Sequence, residues 1–456
     1  DESDYFEERL DPDDNLRALT PDGYEPLEVI MDTLYVSDAP PVELPIRLSR
    51  HGPIVMEKGG ELFSLKWAGY DVDFDVAVAS GFALHRATSF DTFRGIVTGF
   101  GALNANYLYA DSAGNIGYQL STPLPIRKGG DGRFVRQGWS AEDDWQGYYP
   151  LSETPHARNP SRGWLASCNN LSSRTHNLPG VYAADRILRI TELLESTEIA
   201  TPQLMSTWQL DRRDNYFLRW KTPLVDALDS IGETQQAELV RDWDGSTTID
   251  SKITPLMVLF LKLLKQYAFQ DELGDLQSVV SRLTLDRLYH DNDSTWFDDV
   301  TTNDKVETRD DIAQQAAREA VATIGGKSWG EMHTLTMRHP MAAVPVLSGL
   351  LGLQRGHWSW GGTHGTLNKS YYRARNDTTY ECLVAPSWRF VIDFADVDAA
   401  TMVLPAGNSG NPMSSHFFDF NEMWRNGERW TVPFSRDKVL ERAVSTLTMQ
   451  PSDTVL

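Results

Sequence analysis

Two adjacent amides, Asn169 and Asn170, follow the short apolar segment 164–166, which we predict to be a strand. A strand that ends in amides presents hydrogen-bond donors at a fixed point, and one such donor aimed at a developing oxyanion contributes roughly 10²–10³ in rate. Farther along, Arg186 lies in the first turn of a predicted amphipathic helix, where it can bring fixed positive charge. On residue chemistry alone, paired asparagines are more often a turn, and a lone arginine is more often a surface ion-pair partner.

The stretch 159–186 carries a longer pattern. An Asn-Pro pair at 159–160, Gly163 and the two amides at 169–170 are followed by Ala-Asp-Arg at 184–186. This pattern resembles the penicillin acylase (penicillin amidase) family of N-terminal-nucleophile hydrolases. The resemblance implies that Asn169 supplies the oxyanion-hole side chain and that Arg186 sits beside the amino group of the nucleophile.

Further segments of the same family pattern occur in the family's order over nearly the whole chain. They are His51-Gly52-Pro53, the hairpin 109–118, the segment 138–150, and the segments 329–340, 361–368, 386–393 and 404–412. Each is weak alone, but together and in order they are specific. The resemblance implies an α+β fold, the four-layer αββα sandwich of the N-terminal-nucleophile hydrolases with a helical insertion.

No repeat or low-complexity linker marks a domain boundary, so we predict one large β-subunit-like domain over 1–456. Within it, residues 1–182 are predicted to be mainly β, 183–325 helix-rich and 326–456 mainly β again. The clearest local predictions are a β-meander over 28–54, a hairpin over 109–118, helices over 89–97 and 309–324, and a helix start at Thr201-Pro202.

One predicted substrate contact lies in the segment LNANY at 103–107. In the family that this chain resembles, the residue before Asn106 lines the pocket for the acyl group, and here that residue is Ala105. A small side chain at this position should leave room for a larger acyl group than a bulky side chain would.

The first ten residues, DESDYFEERL, resemble a family segment that follows the nucleophile-bearing strands. In family members that bind calcium, this segment supplies two carboxylates and one main-chain oxygen, which the resemblance places at Asp1, Asp4 and Ser3. Calcium takes six to eight oxygen ligands, and Gly132 is a candidate for one more main-chain oxygen. The loop 171–183 lacks the aspartate expected there, so a solvated acidic terminus remains the alternative. No organic cofactor is expected.

The net charge and the apolar runs of the chain argue against nucleic acids and membranes as partners. The formal net charge is −22 at pH 7, whereas proteins that bind nucleic acids or anionic membrane surfaces carry clustered lysine and arginine. The apolar run 253–269 is interrupted by Pro255, Lys262 and Lys265, so it predicts a buried helix and no membrane span. No signal peptide is visible, which says nothing about export if the chain is a processed fragment.

Sequence motifs of other enzyme classes are weak in this chain. The GNSGNP segment around Ser409 resembles the GDSGGP of trypsin-like peptidases, but that chemistry needs a histidine base and a buried aspartate. His51 lies in a His-Gly-Pro turn, and His333 and His339 are six residues apart, which is not the spacing of a helical zinc pair. The sequence has no HExxH, CxxC or phosphate-binding loop.

The two cysteines, Cys168 and Cys382, neither prove nor exclude an oxidising compartment, and the sequence cannot pair them. Cys168 precedes Asn169 without an evident base partner, so we expect a structural thiol there.

The mechanism implied by the resemblance starts with a serine at a chain terminus created by self-cleavage of a precursor. Its α-amino group acts as the base, Asn169 and a main-chain N–H just before Asp1 hold the oxyanion, and an acyl-enzyme forms and is hydrolysed. This chain then carries the oxyanion donor, and the nucleophile is expected several tens of residues upstream of Asp1. The resemblance also implies an α subunit from the same precursor and a periplasmic or secreted location.

The substrate implied is an N-acylated small molecule such as a β-lactam, an acyl-homoserine lactone or a lipopeptide, and only the shape of the pocket separates these. Two other functions remain open. One is a catalytically inactive acylase-like binding protein, which would bind an acylated ligand without turnover. The other is a structural or cell-surface interaction protein, which a surface without a deep apolar cleft next to Asn169 would favour.

Overall fold

The computed structural model describes residues 2–101, 104–129, 132–176, 178, 180, 182–291 and 294–450. They fall into two compact units, Asp1–Ala184 and Asp185–Leu456. Among the predicted site residues, Asp1 lies outside the described residues. Both units contain helices and sheets, which confirms the predicted α+β class. The prediction of a single domain over 1–456 stays a prediction.

The first unit is mainly β. Its strands are β1 (Ser3–Glu8), β2 (Leu10–Asp11), β3 (Asp14–Thr20), β4 (Gly23–Pro26), β5 (Glu28–Leu34), β6 (Val42–Ser49), β7 (Gly52–Lys58), β8 (Glu61–Trp67), β9 (Asn106–Ala110), β10 (Ile116–Leu120), β11 (Pro125–Arg127), β12 (Arg136–Gln137), β13 (Trp145–Tyr148) and β14 (His156–Arg158), and its α-helices are α1 (Phe74–Ala83) and α2 (Phe90–Thr98). The largest sheet has the strand order β12-β1-β8-β7-β6-β5, with β12 parallel to β1 and the other pairs antiparallel. Smaller sheets have the orders β14-β10-β9, β11-β13 and β2-β3-β4.

The predicted meander over 28–54 is confirmed by the antiparallel strands β5, β6 and β7. The turn from β6 to β7 carries the His-Gly-Pro motif, and Gly52 there has a φ of +128°. A Cβ at this position would lie 2.4 Å from the carbonyl oxygen of Leu65 on β8. Glycine is therefore required where the meander passes close to the neighbouring strand.

Helix α2 supports the hairpin formed by β9 and β10, and both elements were predicted. Ser89 caps the helix by accepting the N–H of Thr92 at 3.2 Å. On its buried face, the ring of Phe93 lies 5.1 Å from the ring of Tyr109 on β9. In the hairpin turn, Asp111 Oδ1 accepts the main-chain N–H of Asn115 at 2.9 Å. Hairpin and helix thus form one packed support for the residues just before β9.

In the described part of the second unit, ten α-helices come before most of the strands, and two short helices lie near its end. Its helices are α3 (Asp185–Glu195), α4 (Pro202–Trp208), α5 (Asn215–Arg219), α6 (Lys221–Ser230), α7 (Thr234–Asp242), α8 (Ile253–Leu273), α9 (Arg282–His290), α10 (Arg309–Ile324), α11 (Trp329–Met332), α12 (Pro345–Leu351), α13 (Asn421–Asn426) and α14 (Arg436–Arg442). Its strands are β15 (His333–Arg338), β16 (Gln354–Ser359), β17 (Tyr371–Asn376), β18 (Thr379–Val384), β19 (Arg389–Asp393), β20 (Asp396–Val403) and β21 (Trp430–Thr431). They pair in the orders β16-β15-β18-β17 and β19-β20-β21.

Helix α8 is the centre of the core of the second unit. It packs against α10, and its Leu259, Phe260 and Leu264 are fully buried. The predicted bounds of α10 are confirmed, and so is the predicted start of α4, where the Thr201 hydroxyl accepts the N–H of Leu204 at 3.2 Å. In the described part of the chain, no helix is long and apolar enough to cross a bilayer.

Candidate active site

The two adjacent amides divide their roles in the structure. Asn170 is engaged locally, since its Oδ1 accepts the N–H of Cys168 at 3.1 Å and its Nδ2 donates to the carbonyl of Leu171 at 3.2 Å. Asn169 has a φ of +59°, a left-handed conformation that asparagine adopts more readily than most residues. Asn170 therefore closes the turn, and the turn presents Asn169.

The prediction of a strand over 164–166 is wrong. These residues have no regular secondary structure, and β14 is the last described strand of the first unit. Segment 164–166 pairs with no strand among the described residues, so its apolar character alone does not make it a strand. Side-chain hydrogen bonds, not strand geometry, position the amides.

Asn169 and Ala105 line the same cavity, which has a volume of about 510 Å³. These two residues are 64 positions apart in the sequence, and the fold of the first unit brings them together. The cavity is lined by Asn104, Ala105, Asn106, Leu108, Leu120, Thr122, Leu124, Ser167, Asn169, Asn170, Ser172 and Tyr182. Its wall is part apolar, with Leu120 and Leu124 buried in the wall, and part amide. Such a cavity suits a ligand with an apolar body and a polar group to be oriented.

Hydrogen bonds to the residues after β10 fix Ala105. Its N–H donates to Ser121 Oγ at 3.2 Å, and its carbonyl accepts the main-chain N–H of Ser121 at 3.1 Å. The neighbouring Asn104 accepts from the Thr122 hydroxyl at 2.8 Å. The position of Ala105 in the cavity wall is thus set by its backbone, independently of its small side chain.

Asn106 links the hairpin to the segment that follows the two amides. Its Oδ1 accepts the hydroxyl of Tyr118 on β10 and the hydroxyl of Ser172, the latter at 3.2 Å. Burial raises the pKa of the Tyr118 hydroxyl, which keeps that hydroxyl protonated as a donor. Sequence reasoning missed Asn104 and Asn106, because the resemblance marked only Ala105 between them.

A second anchor holds the same segment. Ser173 Oγ lies 2.7 Å from His176 Nδ1, and His176 Nε2 lies 2.7 Å from the carbonyl oxygen of Glu153. Because a carbonyl can only accept, Nε2 donates to Glu153, while Nδ1 is hydrogen-bonded to the Ser173 hydroxyl. The segment that carries Ser172 is therefore tied down on both sides.

Arg186 belongs to the second unit, where it is the second residue of α3. The helix start is fixed by the buried Asp185, which accepts from Arg219 Nη1 at 2.9 Å and from Arg282 Nη2 at 2.6 Å. Burial and the positive charges of Arg186 and Arg282 lower the pKa of Lys369. The start of α3 is therefore a positively charged region of this unit.

The predicted calcium ligands fit a metal site only in part. Asp4 is buried, and its Oδ2 accepts from Arg127 Nε at 2.8 Å and from Trp145 Nε1 at 2.6 Å. Its Oδ1 is buried and has no hydrogen-bond partner among the described residues, and a Cβ on Gly132 would lie 2.6 Å from it. Ser3 lies on β1 opposite Trp67 of β8.

No group of three or more histidine, cysteine, aspartate or glutamate side chains suited to a metal occurs among the described residues. Arg127 already supplies the counter-charge of Asp4. The described residues alone thus do not define a calcium site, and calcium stays a prediction.

The other candidate residues have structural partners. His51 is buried between Glu8 and Asp144. His333 is buried against the carbonyl of Trp360, and burial lowers its pKa to about 4. Ser409 accepts the N–H of Asn411 at 3.1 Å in a turn.

Neither cysteine forms a disulfide in the described chain. Cys382 is buried and accepts the Ser370 hydroxyl at 3.2 Å, so it is a structural thiol of the second unit. Cys168 takes part in the turn of the two amides through its main-chain N–H.

Comparison with known proteins places these features in a family. The family model described as penicillin amidase matches residues 1–441. Acyl-homoserine lactone acylase QuiP of Pseudomonas syringae pv. tomato is 28% identical over 96% of this chain and 57% of its own length. Penicillin acylase 2 proenzyme of Pseudomonas sp. strain SE83 is 23% identical over 96% of this chain and 58% of its own length. The chain thus spans a little more than half the length of these curated relatives.

A solved structure shows the same fold. Thermostable penicillin G acylase from Alcaligenes faecalis superposes with a TM-score of 0.71 at 17% sequence identity, covering 99% of this chain and 87% of that one. This likeness confirms the predicted fold of the N-terminal-nucleophile hydrolases, and the family model confirms the predicted resemblance. The chain belongs to the penicillin amidase family.

Proposed function

We propose that this chain is the β-subunit-like part of an acylase that hydrolyses the amide bond of an N-acylated small molecule. The observation that carries the proposal is the shared cavity of Asn169 and Ala105, in which a side-chain amide stands beside an apolar wall. A structural or interaction protein would be expected to lack a cleft of this kind next to Asn169. The curated relatives named as acylases support the same reaction class.

In the proposed mechanism, a serine at a chain terminus upstream of this chain attacks the carbonyl carbon of the substrate. Its α-amino group takes the hydroxyl proton, and the carbonyl oxygen becomes an oxyanion. The Asn169 Nδ2–H donates to that oxyanion, which lowers the barrier because the donor is already oriented. The C–N bond then breaks, the amine leaves with a proton, and water hydrolyses the acyl-enzyme to the acid.

The cavity wall favours an aliphatic acyl group. Leu120 and Leu124 are buried beside the cavity, and Ala105 adds no bulk. No phenylalanine or tryptophan occurs among the described residues that line it. Burial of a hydrocarbon chain against leucine stabilises the complex in proportion to the apolar area removed from water. Acyl-homoserine lactones, named for several relatives, are therefore proposed ahead of β-lactam substrates.

The remaining parts of the proposal concern the rest of the protein. Arg186 would sit near the amino group of the nucleophile, and an α subunit from the same precursor would complete the enzyme. Calcium, if bound near Asp4, would be structural, with no organic cofactor involved. The proposed compartment is the periplasm or the exterior of the cell.

The test starts with the natively processed protein. Intact mass and N-terminal sequencing are expected to find two chains, the larger beginning at serine upstream of Asp1. The purified protein should then release free amine from acyl-homoserine lactones and other N-acyl amides. Tight binding of acylated ligands without release of amine would overturn the enzyme assignment and favour a catalytically inactive binding relative.

A further inference from the structure

Asn106 lines the cavity, and two hydrogen bonds fix the orientation of its side-chain amide. Both hydrogen bonds of its side chain are made by Oδ1, which accepts from Tyr118 and from Ser172. Its Nδ2 donates to no described residue, and Asn106 lines the cavity that it shares with Ala105. Because two hydroxyls hold the oxygen end, the NH2 end cannot rotate away without loss of both bonds.

The register of the hairpin places this donor beside the apolar wall. Asn106 on β9 is the direct partner of Leu120 on β10. Residues directly opposite each other in an antiparallel pair share a face of the sheet, so the amide and the leucine adjoin. An acyl chain that contacts Ala105 and Leu120 would pass the side chain of Asn106, whose Nδ2 takes no part in the hydrogen bonds to Tyr118 and Ser172.

A plain hydrocarbon chain in this position would displace water from the NH2 group and offer it no acceptor. Leaving a donor unsatisfied on burial is unfavourable, and a site built around such a donor discriminates against ligands that lack the acceptor. An oxygen on the chain, as a keto or hydroxyl group near the amide, would satisfy the donor.

Resting on the proposed acylase function, we propose that Asn106 is a substrate-binding residue that selects acyl groups carrying an oxygen substituent over unsubstituted chains of the same length. Asn169 would act on the scissile carbonyl, and Asn106 on the acyl chain. Asn169 would thus serve catalysis, and Asn106 would serve the selection of the acyl group.

The experiment measures kcat/KM of the full-length processed enzyme for two amides of one amine, whose acyl chains have equal length and differ by a keto oxygen on the third carbon. The wild type is expected to prefer the keto substrate about fivefold or more, the effect of one hydrogen bond. The variant Asn106→Asp keeps an acceptor for Tyr118 and Ser172 but has no N–H. Its preference for the keto substrate should fall to about one or below.

The matched control is Asn376→Asp in the second unit. Asn376 Oδ1 accepts from Thr378 N at 2.9 Å, and an aspartate can keep that bond while adding the same charge. The control should retain the wild-type preference. An unchanged preference in Asn106→Asp, or a wild type without preference, overturns the selection role.

Two further outcomes are decisive. If Asn106→Asp fails to fold or to be processed, the wild type and the variant Asn106→Ser are compared instead. Asn106→Ser should then show a smaller preference for the keto substrate than the wild type. If the wild type hydrolyses neither amide, the proposed function itself fails, and the selection role fails with it.

Discussion

His51 lies between two carboxylates, with its Nδ1 2.9 Å from Glu8 Oε1 and its Nε2 3.1 Å from Asp144 Oδ1. Each ring nitrogen thus lies within hydrogen-bond distance of a different carboxylate oxygen. Glu8 ends β1, His51 precedes β7, and Asp144 precedes β13. The stack of Phe6 on the imidazole, at 3.8 Å between ring centroids, closes the group from one side. The His-Gly-Pro motif thus joins three segments of the first unit.

This group predicts an acid-sensitive contribution to stability. Burial alone would raise the pKa of the Glu8 carboxyl, but hydrogen bonds from His51, Ser49 and Ser64 outweigh it and hold the pKa below its usual value. A carboxylate with a lowered pKa stabilises the fold above its unfolded pKa of about 4.3, and this contribution is lost as the pH falls through the folded pKa. Glu8→Gln should therefore lower the free energy of unfolding by about 1.5–3 kcal/mol at pH 7, because the donors His51, Ser49 and Ser64 lose their charged acceptor.

Urea unfolding of wild type and Glu8→Gln at pH 7 and at about pH 3 measures the effect, and the difference should shrink at the lower pH. Glu7→Gln, on the same strand, serves as the control and should change stability little at either pH. A loss that is equal at both pH values would show that the side chain acts by packing and not by charge.

Asn169 can be tested separately from the turn that presents it. Asn169→Ala should lower kcat by roughly 10²–10³, since it removes the proposed oxyanion donor. Alanine is strained at a φ of +59°, whereas glycine is not. Asn169→Gly should therefore lose as much turnover as Asn169→Ala but retain more stability, as measured by thermal unfolding. Wild-type turnover in the glycine variant would remove Asn169 from the mechanism.

Ala105 should limit the size of the acyl group. Its backbone is held by Ser121, so a larger side chain must extend into the cavity. Ala105→Leu is expected to lower kcat/KM for long acyl chains about tenfold or more, because overpacking costs about 1–3 kcal/mol. Short acyl chains should be hydrolysed as by the wild type. An equal loss for short and long chains would mean that the residue does not set acyl length.

Much of the local structure was predictable because its causes are local. The capped helix after Ser89, the hairpin turn at Asp111 and the helix that starts after Thr308 each depend on side chains within a few residues. The prediction of a strand over 164–166 was wrong for the opposite reason. A strand needs a partner from elsewhere in the chain, and residue type does not supply one.

The candidate site was predictable only through resemblance. Neither the spacing of Asn169 and Ala105 nor their types indicates that they share a cavity. The pairing of β10 with β14 and the hydrogen bond from Ser172 to Asn106 bring the two segments together. The resemblance marked only Ala105, and the hydroxyls that hold Asn106 come from Tyr118 and Ser172, which are 12 and 66 residues away in sequence. Such hydrogen bonds between distant residues follow from the fold and leave no local pattern.

At Asp4, the effect of a bound metal on stability can be distinguished from the effect of the salt bridge to Arg127. Its side chain and that of Arg127 are almost fully buried, at 0% and 1% exposure, so Asp4→Asn should lower the free energy of unfolding by about 3 kcal/mol with or without calcium. If calcium uses the remaining Oδ1, added calcium should raise the melting temperature of the wild type by mass action and a chelator should reverse the rise. The Asp4→Asn variant should lose that response. A calcium response equal in both proteins would place the metal elsewhere, and no response in the wild type would leave Asp4 as the partner of Arg127 and Trp145.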